Sequence, residues 1–486
     1  MNPVLNTGAP PSAQAPLAPR SLYTAVVAGL LFPLQEQFKR HTTVSVRRRM
    51  DDTEYWAPER LEKLRLERLR RLLLRAQTQV PYYRALFAQV GFDARRDVGS
   101  LDALARLPML DKALIRRHSA DLRAGDAREL ARFNTGGSSG EPLIFYIGKE
   151  RVSHDVAAKW RATRWWDVDI GDPEIVVWGS PIELGAQDRA RAVRDRVMRT
   201  MLLPAFEMSE ANLDAFVARI RARRPRMLFG YPSALSHIAR HAELRGQRMD
   251  DLGIRVAFVT SERLYDEQRE QISRVFGCAV ANGYGGRDAG FIAHQCPHGG
   301  MHITAEDIIV EIVDAEGCAL PAGATGEIVV THLASGDFPF IRYRTGDVGA
   351  LSTRRCGCGR SLPMLEEIQG RSTDFLVAAD GTVMHGLALV YILRDIEGMK
   401  AFKIIQESLH STRVLVVLDT PLDTPLDDKL KDHITRGVRA RLGAQVEVTV
   451  ERVEAIAPEA SGKFRYVVSK VDAARNYGAN HGAGTP

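Results

Sequence analysis

The chain has 486 residues, enough at about 150 per domain for two to four domains with cores of their own, which excludes a small stapled scaffold. Lys and Arg number 66 against 60 Asp and Glu, a net charge of +6, yet the stretch Lys39 to Arg75 alone holds twelve basic and six acidic residues. The surplus is therefore local, which argues against a generally basic, nucleic-acid-coating protein, and five cysteines, an odd number, argue against a disulfide framework and for a reducing compartment, the cytoplasm.

Residues 1–20, rich in Pro, Ala and Ser, offer too little apolar surface to offset the entropy of ordering and are expected to form a disordered lead. The apolar run Ala25 to Phe32 is eight residues long, short of the roughly 20 that span a bilayer, so with the basic segment it predicts at most a peripheral membrane contact. Within Pro58 to Gln77 (residues 58–77), Leu61, Leu64, Leu69, Leu72 and Leu73 fall near one helical face with Arg and Lys elsewhere, and Pro81 marks the end. A basic helix packed on the body is expected there. The middle of the chain alternates β-branched runs, Ile175–Trp178, Arg255–Thr260 and Ile308–Val313, with helical stretches Glu210–Arg224 and Tyr265–Phe276, which is an α/β rhythm. In the last hundred residues, strands at Ala401–Gln406, Arg413–Leu418 and Gln445–Val453 flank a helix in which Leu426, Leu430, Ile434, Val438 and Leu442 recur every four residues. That pattern predicts a small, separate α+β domain, followed by a second disordered tail at 472–486.

Between Phe133 and the strand-like Leu143–Tyr146 lies Asn134-Thr-Gly-Gly-Ser-Ser-Gly-Glu-Pro142. Three glycines and three hydroxyls in six residues give a flexible backbone whose N–H groups and side chains can wrap phosphate oxygens, without the Gly-Lys-Ser/Thr of a Walker loop. Thr135 to Pro142 resembles the phosphate-binding loop of the adenylate-forming ligases, in the branch of phenylacetate-CoA ligase and its relatives from capsule-polysaccharide clusters. Five further segments match in order. Val259-Thr-Ser-Glu-Arg-Leu264 resembles the stretch that borders adenine, and Tyr284-Gly-Gly-Arg-Asp288 the Tyr-Gly-x-Thr-Glu signature. Arg342-Tyr-Arg-Thr-Gly-Asp347 is similar to the Tyr-Arg-Thr-Gly-Asp signature, Gly370-Arg-Ser-Thr-Asp374 to the hinge, and Ser461-Gly-Lys-Phe464 to the terminal Ser-Gly-Lys motif.

The resemblance implies a fold with a large, multi-subdomain ATP- and acid-binding domain over residues 21–370 and a small mobile α+β domain over 371–471. It implies that an acid is activated as an acyl-adenylate with release of pyrophosphate and then passed to CoA. By the same resemblance Thr135, Gly136, Gly137, Ser138, Ser139 and Gly140 hold the ATP phosphates, while Ser261, Glu262, Tyr284 and Gly285 border adenine. Asp347, expected in an exposed turn after Gly346, holds the ribose hydroxyls with Arg371; Asp288 holds Mg2+. Lys463, a compact charge on a C-terminal loop, is the expected catalytic residue. The departures are Asp288 for the usual Glu, Arg287 for Thr, Leu143 for a phosphate-loop Lys, and Thr373 for the first hinge Asp. Arg287 is expected to supply the charge that the loop lacks.

Four tetrahedral N or S ligands make a closed zinc site, and Cys296, Cys356 and Cys358 together with His298 or His302 could supply them. The Cys-x5-His and Cys-x-Cys of some phenylacetate-CoA ligase relatives favour His302. Cys278 and Cys318 are expected to be ordinary core or strand residues. Trp178-Gly-Ser-Pro-Ile182 and Gly230-Tyr-Pro-Ser233 resemble acid-pocket segments, so Trp178 and Tyr231 suit an aryl or arylacetic acid. The acceptor is open among CoA, a carrier-protein thiol, and an amine or hydroxyl in polysaccharide or natural-product biosynthesis. A non-enzymatic alternative is a zinc-stabilised scaffold that binds nucleic acid through the basic helix.

Overall fold

A sheet covered on both faces needs strands that are apolar throughout, and the β-branched runs of this chain have that character. The computed structural model describes residues 21–134, 143–178, 189–205, 208–262, 264–314, 316–369, 375–394, 396–422, 425–456 and 467–471. A hairpin, β1 (Ala131–Asn134) and β2 (Ile144–Ile147), precedes the central strands. These are β3 (Glu174–Trp178), β4 (Thr200–Pro204), β5 (Met227–Gly230), β6 (Val256–Thr260), β7 (Ala279–Gly286), β8 (Gly290–Gln295) and β9 (Met301–Ile303), then β10 (Ile308–Val313), β11 (Gly326–His332), β12 (Tyr343–Leu351) and β13 (Met364–Gln369). They form one eleven-stranded sheet in the order β10-β11-β12-β13-β9-β8-β7-β6-β5-β3-β4. From β4 to β7 neighbours run parallel; from β7 to β10 they run antiparallel.

Every residue of β5 and β6 is buried, as a doubly covered parallel strand requires. The helices Glu210–Arg223, Pro232–Leu244 and Asp266–Phe276 close one core on this half, with Ile175, Leu228, Ala257 and Phe276 at its centre. A second core joins the antiparallel half to the helix Pro58–Gln79 through Leu61, Leu69, Leu72 and Leu73. The expected basic helix is therefore packed on the body, and its polar side is engaged too. Arg68 is buried and donates to Asp307 Oδ1 at 2.5 Å and to the Glu306 carbonyl at 2.7 Å. Pro81 ends this helix and opens the next, Pro81–Val90, because its locked φ suits a first turn. The apolar run near residue 25 forms the helix Leu22–Val26, a π-helical turn Val27–Leu31 and the helix Phe32–Phe38. Among the described residues no helix is long and apolar enough to cross a membrane.

The C-terminal strands are β14 (Phe375–Val377), β15 (Val383–His385), β16 (Met399–Ser408), β17 (Ser411–Leu418), β18 (Glu447–Arg452) and β19 (Val467–Ser469). A four-stranded sheet of order β18-β17-β16-β19 packs on the helix Asp428–Leu442, whose Ile434, Val438 and Leu442 are fully buried. Leu426 precedes that helix, yet it packs on the same core. The expected α+β pattern is present. One cysteine departs from expectation: Cys278 is buried, but Cys318 lies exposed in the turn after β10, where its N–H donates to Asp314 Oδ1 at 2.8 Å. A turn residue has no core face to fill.

Burial holds His237 and His294 down to about 3, so both stay neutral in the fold while the unfolded chain takes up protons near 6.5. Between those values the unfolded state binds more protons, so stability falls as pH drops below about 6.5. At pH 5 each histidine removes about 2 kcal/mol relative to neutral pH. The guanidinium unfolding midpoint is expected to be lower at pH 5 than at pH 7; an unchanged midpoint would contradict the assignment.

Candidate active site

In an open sheet, ligands bind beyond the carboxyl ends of the parallel strands, where the loops converge. Most of the expected positions within the described residues stand on that edge. Trp178 ends β3, Tyr231 follows β5, Ser261 and Glu262 follow β6, and Tyr284 and Gly285 lie at the end of β7. Trp178 and Tyr231 stack at 4.3 Å with an interplanar angle of 21°. Between them in sequence, Gly230 is required: a Cβ there would stand 2.4 Å from the Val177 carbonyl oxygen. Ser261 takes a φ of +73°, a strained value for a non-glycine residue and one that turns the chain sharply at the strand end. The Ser233 hydroxyl, in the first turn of the following helix, donates to the Glu262 carboxylate.

Asp347 is not in an exposed turn. It is half-buried within β12, which carries extra residues opposite β11: Arg344 pairs with Val329 and Val348 with Glu327. Gly346, at φ +76°, permits this bulge, and the bulge frees Asp347 from the regular ladder. The Tyr284 hydroxyl donates to Asp347 Oδ2 at 3.0 Å. Burial and the adjoining Asp347 carboxylate hold that hydroxyl well above its usual range, so it remains a donor. The two motif arginines are structural. Arg342 reaches Glu311 at 3.1 Å and the Leu107 carbonyl at 2.8 Å, and Arg344 pairs with Glu327.

Asp288 lies in the connection from β7 to β8. Its Oδ2 accepts from the Tyr343 hydroxyl at 2.6 Å and its Oδ1 from the Ala289 N–H at 3.0 Å. Behind it the buried Arg151 donates to the carbonyls of Arg287 and Asp288 at 3.1 and 2.5 Å, and stands 3.5 Å from Asp155. Arg287 itself is exposed, while Leu143 is fully buried. Sequence reasoning singled out neither Tyr343 nor Arg151. Tyr343 was accessible through strand periodicity, since Tyr343 and Thr345 share one face of β12; Arg151 gave no signal, being 137 residues from Asp288 along the chain. Thr135, Gly136, Gly137, Ser138, Ser139, Gly140, Arg371 and Lys463 lie outside the described residues.

A second constellation forms where β8, β9 and β13 meet. One ligand atom from each of Cys296, His302, Cys356 and Cys358 lies within 4.8 Å of all the others. The Sγ atoms of Cys296 and Cys356 are 3.5 Å apart, and Cys358 Sγ is 3.2 Å from His302 Nε2. His302 Nδ1 is 3.3 Å from the Leu362 carbonyl, an acceptor that would fix the tautomer with its Nε2 lone pair toward the thiols. Burial holds His302 down to about 4, the neutral form that a metal needs. His298 is not part of the cluster. A Cβ at Gly300 would come within 2.7 Å of Cys356 Sγ and 3.1 Å of His302 Nε2, so a glycine keeps the cradle open. Three thiols and one imidazole at this spacing suit tetrahedral zinc. Behind the cluster, Arg360 pairs with Glu54 at 3.1 Å and the Ser361 N–H donates to the Glu54 carbonyl at 2.9 Å, tying the turn to the N-terminal helices.

Residues 198–334 match the AMP-binding enzyme family, and residues 376–470 match the CapK C-terminal domain. The phenylacetate-coenzyme A ligase of Thermus thermophilus is 27% identical over 333 residues, covering 66% of this chain and 72% of that one. Protein CapK of Staphylococcus aureus is 22% identical over 376 residues, covering 75% of this chain and 80% of that one. Among solved structures, 2-hydroxyisobutyryl-CoA ligase in complex with 2-HIB-AMP and CoA in the thioesterification state aligns with a TM-score of 0.62 at 21% identity, covering 88% of this chain and 93% of that one. This last likeness is one of fold.

Proposed function

The chain belongs to the adenylate-forming ligases, in the branch of phenylacetate-CoA ligase and CapK, and from that premise we propose that it activates an aryl or arylacetic acid and passes the acyl group to CoA. The carboxylate oxygen attacks the α-phosphorus of ATP, the bond to pyrophosphate breaks, and the thiol of CoA then displaces AMP from the acyl-adenylate. The observation that carries this reading is the pairing of Tyr284 with Asp347, with Asp288 close enough to act on the same hydroxyl, at the carboxyl edge of the parallel strands, the edge that also carries the stacked Trp178–Tyr231 pair. Asp347, oriented by Tyr284, accepts from the ribose hydroxyls and Arg371 donates to them, while Ser261, Glu262 and Gly285 border adenine. Thr135, Gly136, Gly137, Ser138, Ser139 and Gly140 hold the β and γ phosphates, a task of positioning more than covalent chemistry.

Each oxygen of Asp288 accepts one hydrogen bond and keeps a further lone pair, which suits a Mg2+ ligand. The ion would screen the charge of the departing pyrophosphate. The cluster of Cys296, His302, Cys356 and Cys358 holds a structural Zn2+. The small domain over 371–471 pivots at Gly370 to Asp374 between the two steps. Clustered thiols suit a reducing compartment, so the protein works in the cytoplasm. Arg287 supplies the charge that Leu143 cannot: Arg287→Ala is expected to raise the KM for ATP about tenfold, and an unchanged KM and turnover would dismiss that role.

A second acceptor class is favoured by one observation: the C-terminal match is to CapK. An amine, hydroxyl or carrier-protein thiol would then replace CoA. Pyrophosphate release over a panel of aromatic, fatty and sugar-derived acids, with and without CoA, tests both. Acid-dependent release is expected, and none with any acid would overturn the ligase reading. Conversion to a thioester only when CoA is present selects CoA.

A further inference from the structure

Residues 21–38 turn one side inward and present another to solvent. On the inner side Thr24 donates to Asp172 at 2.8 Å, the fully buried Val27 fills the space over Gly171, and Phe32 meets the Trp160 ring edge-on at 5.1 Å. These anchors fix which side faces out. On the outer side Leu22, Val26, Leu30, Leu34 and Phe38 recur every fourth residue with exposures of 81, 43, 54, 53 and 91%. With Tyr23 and Leu31 this short segment supplies seven of the thirteen large exposed apolar side chains among the described residues. Soluble surfaces scatter such residues; a concentrated stripe marks a contact.

Positive charge begins where the stripe ends. Lys39, Arg40, Arg48 and Arg49 are exposed, and a half-open cavity of about 380 Å³ is lined by Arg40, Arg49, Arg71 and Lys149 with the hydroxyls of Thr42 and Ser45. Its one lining carboxylate, Glu150, pairs with Arg71 at 3.0 Å. We propose that this face lies on an anionic lipid bilayer, the stripe seated at the acyl boundary and the cationic cavity receiving a headgroup phosphate. Charge complementarity selects that occupant: a second copy of the same face brings more cations.

The test is co-sedimentation of the full chain with vesicles of phosphatidylcholine alone or with about 30% phosphatidylglycerol. Binding at least about tenfold stronger to the anionic vesicles is expected, falling away as added salt shortens the screening length. Leu30→Ser with Leu34→Ser, and separately Arg40→Glu with Arg49→Glu, should each lower it about tenfold or more while the melting temperature holds, since all four side chains are exposed. The proposal is overturned by no binding to either vesicle or by binding that neither double variant reduces. It is also overturned if the full chain is a dimer without lipid that the leucine variant dissociates, since the stripe would then be an interface between two copies. None of these readouts uses ATP or an acid, so they stand apart from the ligase assay.

Discussion

Lys463→Ala is expected to lower acid-dependent pyrophosphate release by about 10³-fold or more, while thioester formation from supplied acyl-adenylate and CoA survives. The split follows from charge. When the carboxylate attacks the α-phosphorus, its own negative charge falls while charge grows on the non-bridging α-phosphate oxygens and on the leaving oxygen, and a compact ammonium placed there is worth far more in the transition state than in the ground state. The second step displaces AMP from a carbon centre and needs no charge at that point. A lost adenylation step with an intact thioester step is therefore the signature of a lysine delivered by the small domain. Release at the unsubstituted rate would remove Lys463 from the chemistry, and equal loss of both steps would show damage to the fold.

Loss of zinc is expected to be the largest stability effect. Metal analysis of the purified chain should give one zinc per molecule, and Cys358→Ser should abolish it and lower the melting temperature by about 10 °C. The cluster draws ligands from the end of β8, from β9 and from the turn before β13, and the last of these lies more than fifty residues along the chain although β13 and β9 are neighbours in the sheet. Removing the ion leaves three thiols and an imidazole crowded together with nothing to bind, and it loosens the Arg360–Glu54 and Ser361–Glu54 ties to the N-terminal helices. Because β8 also carries the Asp288 connection, pyrophosphate release should fall with stability and recover on cooling. A zinc-free chain with an unchanged melting temperature would dismiss the site.

Much of this arrangement was legible along the chain. The alternation of β-branched runs with helical stretches predicted β3, β6 and β10, and the helix of Leu430 to Leu442 declared itself through a period of four, because both patterns are local consequences of which faces must be buried. The order of the six motifs identified the family, and the Cys-x-Cys spacing identified the zinc-like cluster, since two sulfurs one residue apart converge with little help from the rest of the fold. Other features depend on contacts between distant residues. Asp347 faces Tyr284 because β12 bulges against β11, a matter of register between two strands. Arg151 reaches the Asp288 carbonyl across 137 positions, and Arg68 is buried against Asp307 across 239, so neither could be told from a solvated arginine by its neighbours. The same holds for Leu30, Leu34 and Phe38. The apolar run that holds Leu30 predicts at most a peripheral membrane contact, and only the seating of Thr24, Val27 and Phe32 against residues 160–172 shows which side chains turn outward. Periodicity tells which residues share a face; which face meets the body, and which meets solvent, is set by long-range packing.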